Sequence, residues 1–347
     1  MQLHALATAS PSTVFTQSKC LEFAREERFA SRLNRRSQLI LRSILSGDSG
    51  VEQRHFALSD IAGVFDLSAD QLNAAFRREA PALAARALAR ALQTASLRAD
   101  EIDVLLICTC TGYLCPGVTS YVAEMLGLRS DAVLFDVVGH GCAAAIPMLR
   151  AAEAQLTANP DAIVATVAVE ICSAAFYLDD DPGVLISACL FGDGAAAAIW
   201  RAEKGPLGLS CRDFATVHLP EHRDEIRFEQ RDGKLRNLLA PTVPELAADA
   251  VMGLLAKEVQ REGARPISRI AAHPGGRDVI NAIERRLPDF NFDAGRKVLR
   301  EHGNMSSPSV LFVLNELLQT SAPDAENDWW LVSFGAGFTA HSCRLGK

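Results

Sequence analysis

Little of this chain is charged: Asp, Glu, Lys and Arg make up 22% of its 347 residues, and the net charge is −7. No block of Lys and Arg stands against that acidic balance, so a nucleic-acid backbone is not an expected partner. Long apolar runs are missing too. The most apolar stretch, residues 162–178, contains Glu170 and is rich in Ala and Ser, which makes it a poor membrane span. Residues 1–10 lack a charged start followed by a long apolar segment, so no secretion signal is expected. The nine cysteines include no CxxC pair. Cys108, Cys110 and Cys115 lie close together, yet no Cys or His set at ligand spacing completes a site, and no metal is expected. Free thiols in a reducing cytoplasm are the reading of these residues.

Hydrophobic residues make up 49% of the chain, enough for a large buried core in one or two domains. Apolar strands alternate with amphipathic helices, which argues for an α/β fold. The pattern predicts helices at 81–95, with Pro81 as first residue, and at 119–126, 143–156, 245–260, 278–286 and 310–319. Strands are expected at 102–109, 135–138, 162–169, 190–200, around Ile270, and at 329–334. A polar, Gly/Pro-rich stretch at 203–208 marks a boundary, giving an N-terminal half, 1–203, and a C-terminal half, 204–347. No internal sequence repeat is visible.

Three short segments carry chemistry: GHGCAAA around Cys142, AAHPGG around His273 and EHGNMSS around Asn304. Residues 135–138 read as a buried strand, 139–141 as a tight turn and Ala143 onward as a helix. That places the Cys142 thiol at a helix N-terminus, where unpaired N–H groups favour thiolate. Pro147 falls close enough to the helix start to be tolerated. A lone Cys is more often a small buried hydrophobe; the strand–Gly–Cys–helix context reverses that reading. His273 ends an apolar run and precedes Pro274-Gly275-Gly276, an exposed, rigid position. It could pair with the Cys142 thiolate or donate to a thioester oxygen; a solvated His is the bland alternative. Asn304 offers a carboxamide that donates to a developing oxyanion without titrating, or else is an ordinary helix cap. His140 could tune the thiolate or only stabilise the turn.

With LFGDGAAAAI at 190–199 and SFGAGFT at 333–339, these segments resemble the type III polyketide synthases, the chalcone synthase-like family of the thiolase superfamily. The resemblance runs from about Val51 to Arg344. It implies a duplicated, five-layered αβαβα thiolase fold, a homodimer, and acyl-CoA and malonyl-CoA as substrates, with no metal or redox cofactor. By the same resemblance Cys142 is the nucleophile, His273 and Asn304 the decarboxylation and oxyanion pair, and Phe191 the gatekeeper. Cys110, Thr111, Ala175, Asn237 and Ser306 should line the cavity, and Cys115 would reach the partner subunit's cavity. Gly335 and Gly337 belong to the active-site loop, where Ala336 departs from the family's usual Pro.

CoA is anionic, and Arg32, Arg35, Arg36, Arg42 and Arg277 are candidate cations, with Gly275 and Gly276 beside them. Ala175, smaller than its counterpart in plant chalcone synthases, suggests a roomier cavity, an aliphatic starter, and an alkylpyrone or alkylresorcinol product. A ketoacyl-ACP synthase III-like enzyme and a catalytically silent thiolase-fold subunit are the competing readings; intact Cys142, His273 and Asn304 argue against the silent one.

Overall fold

A computed structural model of the chain describes residues 1–323 and 325–347. The first half runs β1 (Gln2–Ala9), β2 (Thr13–Thr16), α1 (Gln17–Arg25), α2 (Glu27–Ala30), α3 (Arg35–Ser46) and β3 (Gln53–Phe56). It continues with α4 (Ala69–Ala95), β4 (Val104–Cys108), α5 (Val118–Leu126), β5 (Val133–Val137), α6 (Ala145–Ala158), β6 (Val164–Glu170), α7 (Pro182–Leu190) and β7 (Gly194–Arg201). The second half begins with β8 (Leu209–His218), β9 (Ile226–Arg231), β10 (Lys234–Leu239), α8 (Val243–Val259) and β11 (Ile267–Ala272). It ends with α9 (Arg277–Arg286), α10 (Asp293–His302), α11 (Ser309–Thr320), β12 (Asp328–Gly335) and β13 (Thr339–Gly346).

The main sheet has the order β11-β12-β13-β8-β1-β7-β6-β4-β5. Its pairings repeat. From β1 outward they run antiparallel to β7, antiparallel to β6, then parallel to β4. From β8 outward they run antiparallel to β13, antiparallel to β12, then parallel to β11. A short antiparallel contact, Gln2 with Ser210 and Leu3 with Leu209, joins the two sets. The duplication invisible in the residues is therefore visible in the hydrogen bonding.

Strand alternation distributes the core into layers, because successive side chains point to opposite faces. Ala165, Val167 and Val169 of β6 pack with α4 and α5, whereas Val164 and Ala168 face α6 and α11. On β12, Trp329 and Leu331 turn toward α6 and α11, and Trp330 and Val332 toward α8 and α9. The succession is α4/α5, sheet, α6/α11, sheet, α8/α9: the thiolase fold.

Three expectations need correction. Pro81 does not start a helix: α4 begins at Ala69, where Ser68 and Gln71 form a reciprocal capping box, and Pro81 is interior. The carbonyl that loses its donor belongs to Arg77, an exposed residue, while Ala80, Pro81, Leu83 and Ala84 are buried. The 135–138 strand is not buried. It is β5, at the sheet edge, with Val133, Leu134 and Phe135 exposed. The 190–200 strand starts only at Gly194, since Leu190 closes α7 behind an Asp181 cap.

Candidate active site

Cys142 stands in a short 3-10 turn, Gly141–Ala143, between β5 and α6. Gly139 and Gly141 have φ of 90° and 55°, which a side-chain-bearing residue rarely adopts. β12 abuts this turn closely: a Cβ on Gly335 would lie 2.7 Å from the Ala143 nitrogen and 3.0 Å from the Cys142 nitrogen. Ser333 reinforces the contact by donating to the Ala143 carbonyl at 3.2 Å. Gly337 is at φ 128° in the loop that follows.

Cys142 is half-buried as a residue, and its thiol shares the Ser306 hydroxyl, which also lies 3.2 Å from the Cys110 sulfur. Burial pushes Cys142 up to about 12; the Ser306 hydrogen bond opposes this and the charge of Glu170 adds to it. Desolvation therefore opposes the thiolate that the helix N-terminus favours. Cys110 is likewise pushed well up, chiefly by burial.

His273 follows the end of β11 and is buried, not exposed as its Pro-Gly-Gly context suggested. Its backbone N–H donates to Val332 at 2.9 Å, and its ring meets the Phe334 edge at 5.3 Å. Burial pushes it down to about 3, which favours the neutral imidazole, and Nδ1 is buried without a partner among the described residues. Burial thus disfavours charge on both Cys142 and His273.

Asn304 is pinned from both ends of its amide. Nδ2 donates to the Gly275 carbonyl at 3.0 Å, and Oδ1 accepts from the Ser306 N–H at 2.8 Å. Its backbone bridges to the gatekeeper segment, with Asn304 N–H to Leu190 at 2.9 Å and Gly192 N–H to Asn304 at 3.0 Å. Phe191 sits between them, buried. Ser306 holds φ of 60°, and its hydroxyl lies against the Cys110 and Cys142 thiols.

Glu170 organises the surroundings, a role its place in an apolar run does not announce. Fully buried at the end of β6, it accepts from the Thr109 hydroxyl (3.1 Å), the Cys110 N–H (2.9 Å), and the Thr111 N–H (3.0 Å) and hydroxyl (2.8 Å). Its other oxygen accepts from Ser307 at 2.6 Å. One carboxylate therefore ties the 109–111 loop to the 304–307 loop. A carboxylate closing an otherwise apolar strand was the available signal. Thr111 spends its hydroxyl on Glu170 and the Ile171 N–H, which makes it scaffold more than cavity wall.

Ala175 is buried in the 172–175 turn, and β10, which carries buried Asn237, packs against that turn. Neighbouring Arg236 anchors the β9–β10 hairpin through Asp179 at 2.6 Å and Glu229 at 2.8 Å. Cys115 is exposed and joined to Pro116 by a cis peptide. Arg42 is exposed on α3, Gly276 opens α9, and Arg277 is paired with Asp278 at 2.9 Å. His140 turns its ring toward His341, 5.8 Å away.

Residues 10–206 match the model of FAE1/type III polyketide synthase-like proteins, and residues 213–345 match the chalcone and stilbene synthase C-terminal domain. The chain belongs to the type III polyketide synthase family. It is 32% identical over 306 residues to a 1,3,6,8-tetrahydroxynaphthalene synthase of Streptomyces peucetius subsp. caesius, covering 85% of this chain and 81% of that one. A 3,5-dihydroxyphenylacetyl-CoA synthase of Streptomyces toyocaensis is 28% identical, with 84% and 79% covered. Among solved structures, the tetrahydroxynaphthalene synthase of Streptomyces coelicolor A3(2) superposes with a TM-score of 0.88 at 25% identity over 100% of this chain and 99% of that one. PKS-I of the brown alga Ectocarpus siliculosus gives 0.89 at 24% identity over 100% and 98%, a likeness of fold. As a type III polyketide synthase this chain is an acyl-condensing transferase. Among its described residues no helix is long and apolar enough to cross a membrane.

Proposed function

We propose that Cys142, His273 and Asn304 carry an iterative decarboxylative condensation of an acyl-CoA starter with malonyl-CoA. The observation that supports this most directly is the doubly anchored Asn304 amide, fixed by Gly275 and Ser306 with a second Nδ2–H left to donate. Neutral His273 accepts the Cys142 proton, and the thiolate attacks the starter carbonyl. The CoA thiolate leaves, taking that proton. Malonyl-CoA then loses CO₂; the electrons of the broken C–C bond pass to the thioester oxygen, where Asn304 and His273 donate hydrogen bonds. The enolate carbon attacks the Cys142 acyl carbon and expels the Cys142 thiolate, leaving a longer β-ketoacyl-CoA that can reload Cys142. Ring closure releases the product.

Phe191 acts as gatekeeper, with Cys110, Ala175, Asn237 and Ser306 lining the cavity and Gly335 and Gly337 shaping its loop. Arg42, Gly275 and Gly276 receive CoA. The halves 1–203 and 204–347 contribute the nucleophile and the His–Asn pair respectively. The exposed apolar edge of β5 supports a homodimer, in which Cys115 reaches toward the partner subunit's cavity. A cytoplasmic location accords with nine free thiols.

Small Ala175 favours an aliphatic starter and an alkylpyrone or alkylresorcinol product. Radiolabelled malonyl-CoA with acetyl-, hexanoyl-, lauroyl- and coumaroyl-CoA, beside a Cys142→Ala control, tests this by mass spectrometry. Products of several malonyl units that vanish in the control are expected. Tetrahydroxynaphthalene or dihydroxyphenylacetyl-CoA from malonyl-CoA alone would replace the aliphatic assignment, and single-round products requiring a carrier protein would overturn iteration.

A further inference from the structure

The β9–β10 hairpin stands outside the nine-stranded sheet, and among the described strands its two members pair only with each other. Successive residues of a strand face opposite ways, and the two faces of β10 make different contacts. Leu239 packs against the core cluster that holds Cys172, Ala174 and Phe176. Asn237, two residues earlier on the same face, is buried and directed toward the 172–175 turn that carries Ala175. Arg236 lies on the other face and is 9% exposed. Its guanidinium meets Asp179 at 2.6 Å, Glu229 at 2.8 Å and Asp181 at 3.4 Å. Asp181 is the N-cap of α7, accepting from the Gly183 N–H at 2.8 Å and the Val184 N–H at 3.4 Å. A Cβ on Gly183 would lie 2.5 Å from the Leu239 carbonyl oxygen, so the start of α7 abuts the end of β10. α7 ends at Leu190, and Phe191 follows. One guanidinium therefore joins the strand that carries Asn237 to the helix that ends at the gatekeeper. Its planar fork holds several carboxylates in fixed directions, which a point charge does not.

We propose that Arg236 is a positioning residue that sets starter length, by holding the Asn237 wall and the Phe191 helix at a fixed separation. It touches no reacting atom and acts through those two residues. The starter claim rests on the condensation proposed above; the mechanical link between hairpin and helix does not.

Hydrogen exchange and starter competition, both on the full chain, test the two parts. In Arg236→Gln the amides of 226–239 and of 183–190 should both exchange about tenfold faster, because charge-assisted bonds are lost at both ends of the link. The ratio of kcat/KM for lauroyl-CoA over hexanoyl-CoA should rise about tenfold as the wall recedes. Asp181→Asn keeps the cap of α7 and removes only its charge. It should quicken exchange in α7 alone and move the ratio the same way by less. Added to Arg236→Gln, it should change α7 little further, since both break one link. If Arg236→Gln fails to fold by circular dichroism, Arg236→Lys replaces it, a charge without the fork, with the same directions expected. Faster exchange confined to the hairpin, or a ratio unchanged in every variant, would overturn the proposal and leave Arg236 an anchor of its own strand. An unsubstituted chain that takes neither starter would overturn the starter claim, while exchange still decides the link.

Discussion

Asn304 and Gly275 are joined across the site by a 3.0 Å hydrogen bond from the Asn304 Nδ2 to the Gly275 carbonyl. The bond couples the loop after β11 to the loop before α11, the two segments whose side chains must act together on one oxyanion. It also fixes which edge of the amide donates, so Asn304 needs no reorientation when charge develops.

Replacing Asn304 by Asp keeps the shape and removes the donor, and sets a carboxylate oxygen against the Gly275 carbonyl. Malonyl-CoA decarboxylation should fall by about 10²–10³, while alkylation of Cys142 by iodoacetamide stays within a few-fold of the unsubstituted chain. Decarboxylation at an undiminished rate would remove Asn304 from the oxyanion role.

Gly335 gives a sharper steric test. Its missing Cβ would fall 2.7 Å from the Ala143 nitrogen, 2.8 Å from the His140 carbonyl oxygen and 3.0 Å from the Cys142 nitrogen, all backbone atoms of the nucleophile turn. Gly335→Ala must displace that turn or β12. Because small misplacement of a reacting group can cost about 10² in rate, condensation should drop by at least about that factor, and the thermal midpoint should fall with it, since the clash is with backbone. Full activity in a folded Gly335→Ala chain would show that the turn tolerates the shift.

Glu170 receives five donors, two of them backbone N–H groups that cannot reverse their polarity. In Glu170→Gln the amide oxygen can keep the donors of 109–111 only if the NH2 faces Ser307, whose hydroxyl must then reverse and accept, and every bond loses its charge assistance. A stability loss of about 2–3 kcal/mol is expected in urea unfolding, together with slower condensation as the Cys110 and Ser306 loops separate. An unchanged unfolding curve would mean that the network relaxes around the amide.

Acid should destabilise the fold through buried histidines. His273 is pushed down to about 3 and His341 to about 4, both mainly by burial. Their folded values lie below the unfolded value near 6.5, so the unfolded chain binds the extra protons. The stability they contribute is complete above about pH 6.5 and is lost as pH falls toward 4, at up to about 1.4 kcal/mol per pH unit for each residue. Urea midpoints at pH 7.5, 6 and 5 should decline in that order. The decline should weaken in His341→Gln, a residue away from the reacting atoms; equal midpoints would contradict the burial argument.

Periodicity located most of the central elements, since β4, α5, β6, α8, α9 and α11 all combine strong apolar patterning with clear ends. It failed where tertiary context decided. Pro81 is a helix-start signal in isolation, yet burial of its neighbours and the Ser68 cap carry α4 through it. The apolar residues of β5 cannot reveal that, among the described residues, no strand lies beyond them at the sheet edge. The chemistry-bearing triad was legible because Gly and Pro punctuate each of its three segments. Glu170 was not, because a buried carboxylate is recognised only by the donors that surround it, and those come from sequence positions 109–111 and 307.

The β5 edge makes the last prediction. Val133, Leu134 and Phe135 are 45%, 37% and 41% exposed, and among the described strands β5 bonds to β4 alone. An apolar edge strand with free N–H and C=O groups is a template for pairing with another chain, and a second copy would offer the same surface in a twofold arrangement. Phe135→Glu should therefore give a monomer in light scattering where the unsubstituted chain is a dimer. A charge on this strand leaves its bonds to β4 in place, so far-ultraviolet circular dichroism should not change. If the unsubstituted chain is already monomeric, or Phe135→Glu stays dimeric, the interface lies elsewhere and Cys115 loses its proposed reach into the partner subunit.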